Sequence, residues 1–126
     1  MENVVFSDGT NEFIVNNPLN IEPNSYLVFS NNNDVSTNGS INVDFEYDGF
    51  FSLPNSGGQI SITSNTIIID FVNYDSFNIE SGKSLNLNPN NLDAVDNDNS
   101  NSWCISAYGL PSGDFGTPKL ANTDCN

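Results

Sequence analysis

The stretch Gln59-Ile-Ser-Ile-Thr63, Ser64-Asn65, Thr66-Ile-Ile-Ile-Asp-Phe-Val-Asn-Tyr74 sets two β-branched and aromatic runs on either side of a short polar link. Runs of this length and composition read as strands, and the link Ser64-Asn65 reads as a tight hairpin turn. The pair is expected at the centre of a sheet. Working outward, the same signs recur, and no segment carries the three-and-four apolar spacing of a helix. Candidate strands are Val4-Val5-Phe6, Glu12-Phe13-Ile14-Val15, Ser25-Tyr-Leu-Val-Phe29, Lys83-Ser-Leu-Asn-Leu87 and Ser102-Trp-Cys-Ile-Ser106, with Asp8-Gly9 turning the first into the second. Ile41-Asn-Val-Asp-Phe-Glu-Tyr47 alternates throughout. As a strand it would put Ile41, Val43, Phe45 and Tyr47 on one face and Asn42, Asp44 and Glu46 on the other, wet face. Segments 31–39 and 89–101 are polar and turn-rich and read as loops. Many short strands joined by turns imply an all-β domain, a sandwich or barrel of mostly antiparallel strands.

Length and charge narrow the function. A chain of 126 residues is one domain with one core. Sixteen acidic residues face two lysines, Lys83 and Lys119, with no histidine, for a net charge of −14. Phosphate neutralisation needs Lys or Arg, so direct nucleic-acid binding or docking on an anionic membrane would meet repulsion. Ser-His and Cys-His nucleophiles are closed to a chain without histidine. Zinc would have two cysteines and carboxylates only, without a C-x-x-C pair. No apolar run approaches a membrane span, and the first residues carry no basic region followed by an apolar stretch, so any export signal is expected outside these residues. Asparagine makes up roughly a fifth of the chain, a composition suited to turns.

Several residues could carry chemistry. Cys104 and Cys125 are expected to form a disulfide that closes a loop of about twenty residues and is worth roughly 3 kcal/mol; it points to an oxidising, extracytoplasmic setting. The 93–103 segment holds Asp93, Asp96 and Asp98 among amide oxygens, the hard ligands that Ca2+ takes. It is not an EF-hand: Asp96, Asp98 and Ser100 fit the first alternating positions, but Asn101 stands at the turn glycine and Ala107 at the bidentate glutamate. The competing reading is that these side chains cap turns. Asp34 and Asp44 are weaker candidates for a cation. Asp44 and Glu46, about 7 Å apart on one strand face, have the look of a glycosidase pair, but on the wet side with no pocket to shift either pKa. Trp103, Tyr108, Tyr47, Tyr74 and the Phe50-Phe51 pair could stack on sugar rings; for Trp103, beside the expected disulfide, packing is the stronger reading. Asn38-Gly39-Ser40 matches a glycosylation acceptor. Gly113-Asp-Phe-Gly-Thr-Pro-Lys-Leu-Ala-Asn122 lacks the strand, helix and lysine-serine pair of a phosphate loop. It reads as a closing clasp, with Gly113 and Gly116 permitting turns and Pro118 stopping strand pairing.

In order along the chain, Pro23-Asn-Ser-Tyr-Leu-Val-Phe29, Asn31-Asn-Asn-Asp34, Asn38-Gly39, Phe51-Ser-Leu-Pro-Asn-Ser-Gly-Gly-Gln-Ile60, Ile69-Asp-Phe-Val-Asn-Tyr74, Gly82-Lys-Ser-Leu85, Ser102-Trp-Cys104 and Gly113-Asp-Phe-Gly-Thr-Pro118 resemble a lamin tail domain of the bacterial, secreted branch. The resemblance covers nearly the whole chain, residues 1–126. It implies an immunoglobulin-like β-sandwich without catalytic residues, used as an accessory module in secreted or surface proteins. Two departures stand out: Lys119 replaces the family's glycine after the proline, and Gly58-Gln59 replaces its acidic residue before the Ile60 strand. The family's first two strands also have no counterpart before Val4, so the resemblance implies a domain completed by a preceding hairpin, by another chain or by self-association.

The expectation is therefore a non-enzymatic extracellular or cell-surface interaction module. Its partner would be a protein or a surface glycan, and it would need no cofactor. The alternative is a calcium-assisted carbohydrate- or surface-binding domain built on Asp93, Asp96 and Asp98.

Overall fold

β1 (Val4–Ser7) and β2 (Glu12–Val15) bury every second residue, Val4, Phe6, Phe13 and Val15, because a period of two sends alternate side chains to one side. Asp8 makes the turn between them: its Oδ1 accepts the N–H groups of Thr10 and Asn11, at 2.8 and 2.6 Å. The computed structural model describes residues 3–125. It is all-β and mostly antiparallel, with strands in two layers.

The first layer is a sheet of order β2-β1-β5-β6, where β5 is Gln59–Ser64 and β6 is Ile67–Asn73. The hairpin expected from these two runs is present, one residue later than Ser64-Asn65. Its loop is Asn65-Thr66, with φ of 48° and 67°. Left-handed backbone at both positions is the type I′ form of a two-residue hairpin loop, whose twist matches that of the strands. The expected place at the sheet centre is corrected for β6. β1 occupies the other side of β5, so β5 is interior and β6 is the edge.

The second layer is shorter than the alternation suggests. The expected strands 25–29 and 41–47 shrink to β3 (Phe29–Ser30) and β4 (Phe45–Glu46), which pair in parallel. Side chains take over the backbone partners here. The Asp44 carboxylate accepts Val28 N–H at 2.6 Å, and the Asn38 side chain both accepts Ile41 N–H and donates to the Ile41 carbonyl. β7 (Leu85–Leu87) pairs antiparallel with β8 (Trp103–Ile105). Segment 89–101, expected to be irregular, contributes short 3-10 helices at Asp96–Asp98 and Ser100–Ser102.

The core lies between β1–β2 and the β3–β4 layer. Phe13 stacks on Phe6 at 4.9 Å and on Tyr47 at 4.8 Å, and meets Phe51 edge-on at 4.9 Å. Phe29 and Phe45 close the cluster. Offset and edge-on ring pairs add about 0.5–1.5 kcal/mol each beyond the area they bury.

Candidate interaction surface

β6 carries Ile67, Ile68, Ile69 and Phe71, exposed by 69%, 65%, 54% and 41%, on the outer strand of the main sheet. The register explains the exposure. Ile68 lies level with Thr63, Val5 and Ile14 on the face turned away from the core, and Phe71 lies level with Ser61 and Ser7. A bulge between Ile62 and Thr63 adds Ile69 as an unmatched residue. On the inner face only Val72 is buried, while Asp70 is partly covered.

Asp70 anchors the lower side of this edge. One oxygen accepts Phe71 N–H at 2.8 Å and the other accepts from Asn97 Nδ2 at 2.7 Å. Asn97 in turn accepts the Trp103 indole N–H on its carbonyl, at 2.6 Å. This chain of contacts ties β6, the first 3-10 helix and β8 together. Between β5–β6 and β7–β8 lies an apolar cleft of about 350 Å3 lined by Ile60, Val72, Tyr74, Phe77, Leu85 and Trp103. Its walls are mostly hydrocarbon and aromatic, with Asn55, Lys83 and Ser84 the polar members of the lining, and suit an apolar side chain better than a polyhydroxylated ring. Burial, reinforced by Asp8 and Asp75, pushes the Tyr74 phenol up.

The residues singled out in the sequence fall in different places. Cys104 and Cys125 form the expected disulfide, with Cα atoms 5.5 Å apart, fastening the final segment to β8. Asp93 serves as a turn cap: its Oδ1 accepts Val95 N–H and Asp96 N–H, both at 2.9 Å, and these two bonds hold its carboxyl below the usual range. Asp96 and Asp98 sit exposed on the 3-10 helix beside β6. Among the described residues no group of three or more His, Cys, Asp or Glu is arranged to hold a metal ion.

Trp103 lines the cleft with its ring tilted on Phe77 at 5.7 Å, so it packs, while Tyr108 stands half exposed and is not part of that lining. Tyr47 and Phe51 belong to the aromatic core, Tyr74 is buried, and Phe50 is exposed. Asp44 is not on a wet strand face. It takes the Val28 N–H and the Lys119 ammonium, which together outweigh its partial burial and hold its carboxyl below the usual range. Glu46 accepts both the backbone and side-chain N–H of Asn33, at 3.2 and 2.9 Å. Both carboxylates are structural. The Asn38 amide nitrogen already donates to the carbonyls of Asn32 and Ile41. The Asp34 carboxylate is held below its usual range by the hydroxyl and N–H of Ser36.

In the closing segment, Gly113 has φ of 95° and its N–H closes a turn on the Leu110 carbonyl. Gly116 differs from the expected turn residue: its φ is not positive, and a Cβ there would meet the Ser84 hydroxyl at 3.2 Å. Close approach, not turning, is its part. Pro118 starts a turn closed by Leu120 N–H on the Thr117 carbonyl, at 3.0 Å.

One feature escapes sequence reading. Asp8 accepts Ser52 N–H on Oδ2 while Oδ1 holds the β1–β2 turn, and these backbone bonds draw its pKa to about 2. The partner lies 44 residues away and leaves no local signature. The exposure of β6 was detectable: three consecutive isoleucines cannot all face one side of a strand, so either both faces are covered or some are bare. No family model, no curated protein and no solved structure matches this chain.

Proposed function

We propose that this chain is a non-catalytic interaction module of an extracellular or cell-surface protein, similar to a lamin tail domain of the secreted type and immunoglobulin-like in its layering. The observation that carries the reading is the bare apolar run of β6 on an otherwise acidic, disulfide-fastened frame. Contiguous exposed apolar surface rimmed by polar residues marks contact sites in soluble proteins. The ordered motifs from Pro23 to Pro118 add to it, as does the left-handed turn at Lys119, where the family has glycine. A disulfide of this kind persists in oxidising surroundings.

The carboxylates held below their ordinary range, Asp34 among them, serve the fold. Asp8, Asp44 and Asp93 are each engaged by backbone N–H groups. The calcium-assisted alternative has the weaker support, since Asp93 is already committed to its turn. The test is direct. Labelled domain is applied to immobilised matrix proteins, glycan arrays and intact cells, and in parallel to glycoside, ester, peptide and phosphodiester substrates. Saturable retention without turnover is expected; turnover above background overturns the reading.

A further inference from the structure

Soluble proteins protect edge strands with lysine, proline or brevity. β6 has the sequence Ile67-Ile-Ile-Asp-Phe-Val-Asn73 and contains neither lysine nor proline. Its protection is the bulge at Ile69 and the carboxylate of Asp70 on the Phe71 N–H. Its rim is acidic: Asp70 lies within the strand, Asp75 just after it, and Asp96 and Asp98 on the 3-10 helix packed against it, while Lys83 lines the cleft beside Val72. Both lysines are engaged, Lys83 with Glu80 and Lys119 with Asp44. A second copy of a chain with net charge −14 would bring this acidic rim against itself. An acidic rim around a bare strand edge is complementary to an extended backbone that carries cations.

Resting on the reading of the domain as an interaction module, we infer that β6 is a docking edge for an extended polypeptide strand in which apolar residues alternate with lysine or arginine. The incoming main chain continues the sheet. Its apolar side chains cover Ile68 and Phe71, and its cations meet Asp70, Asp75, Asp96 and Asp98. Charge sets the rate and selectivity of encounter, and the apolar contact sets residence.

The experiment uses the full chain with a short end-blocked peptide of alternating valine and lysine, and a matched peptide of valine and glutamate. Amide exchange, binding and sedimentation are measured. The valine-lysine peptide should slow exchange in β6 by about tenfold or more while leaving the opposite edge, β2, unchanged. Its affinity should fall as salt rises, and the glutamate peptide should not bind. Combining Ile68→Thr with Phe71→Thr keeps exposed, strand-compatible side chains and the full acidic rim, and should weaken binding about tenfold with the melting temperature little changed.

Undiminished binding by that variant means attraction by charge alone and overturns the proposal. So do protection at β2, equal binding of the glutamate peptide, or wild-type dimers that the variant abolishes, which would assign the edge to a second copy. If the variant misfolds, the exchange map and the peptide pair decide on the wild type. Failure here alongside saturable surface retention removes the docking edge and leaves the module reading standing; failure of both removes both.

Discussion

The two ends of this sandwich are held by different physics. At the β1–β4 end the buried residues are apolar: Val4, Phe6, Phe13, Val15 and Phe51, with Phe29, Phe45 and Tyr47 packed on them. At the β7–β8 end they include Asn86, Asn97, Ser102 and Ser106. There the side chains satisfy one another only in part: the Ser84 hydroxyl donates to Asn86 Oδ1 and Ser106 Oγ accepts Tyr108 N–H, but Asn86 Nδ2 and Asn97 Oδ1 are buried without a hydrogen-bond partner. An apolar cluster stabilises by removing surface from water, whereas buried polar groups roughly break even when fully bonded. A half that packs little hydrocarbon needs a covalent constraint, and the disulfide lies in that half.

The largest expected effect breaks the apolar end. Phe13→Ala removes the ring that touches Phe6, Phe29, Phe45, Tyr47 and Phe51, and should cost about 3–5 kcal/mol in denaturant unfolding. Leu110→Ala, in the partly buried closing segment, should cost clearly less. Equal losses at the two sites would mean that the two ends share one core.

The polar end is tested by its staple. Cys104→Ser with Cys125→Ser should lower stability by roughly 2–3 kcal/mol, because the loop of sequence separation 21 is no longer closed in the unfolded chain. Amide exchange should then rise first in β7, β8 and the closing segment while β1 stays protected. Uniform loosening of the whole chain would contradict the division into two regimes.

What the sequence could disclose follows the same division. Alternation located β1 and β2, and β-branched runs located β5 and β6, because burial of one face leaves a period of two in the chain. The disulfide was legible from cysteine count and spacing. The partners of Asp8, Asp44 and Asn97 were not, since a carboxylate or amide that meets a backbone group far along the chain imposes no period. The length of the second-layer strands failed for the same reason. In 41–47 the pattern was right and the side chains of Asn38 and Asp44 displaced the ladder. Among the suggested site residues, Trp103 and the acidic 93–98 segment are neighbours through Asn97, yet as supports of β6 and not as a stacking or metal site.

Asp8 joins the β1–β2 turn to the segment after Phe51, so it sharpens how the apolar end is closed. Its pKa is depressed to about 2 by N–H groups of Asn11, Ser52 and Thr10. The sign follows: the contribution is fully present above the unfolded pKa of about 4, and is lost as pH falls through about 2. Asp8→Asn should cost about 1 kcal/mol at neutral pH, a value reduced for the group's exposure. The difference from wild type should shrink as acid unfolding is followed from pH ~4 to ~2. A difference that stays constant across that window would assign the loss to packing, not to the charge.

The smallest effect lies where the closing segment meets β3. Lys119 has φ of 66° at the third position of the turn Thr117–Leu120, behind Pro118, the place where such a turn calls for glycine. Left-handed backbone costs a residue with a Cβ about 1 kcal/mol. The lysine recovers part of it through the ion pair with Asp44, whose exposed side limits that gain to about 0.5–1 kcal/mol. Two substitutions separate the terms. Lys119→Ala keeps the strained backbone and loses the pair, so it should fall below wild type by somewhat under 1 kcal/mol. Lys119→Gly loses the pair but relieves the backbone, so it should lie near wild type and above the alanine variant by about 1 kcal/mol. Thermal melts of the three proteins at low and high salt check this, since only the pair is screened. If the alanine variant equals the glycine variant, the turn does not hold a left-handed residue, and the clasp depends on the disulfide alone.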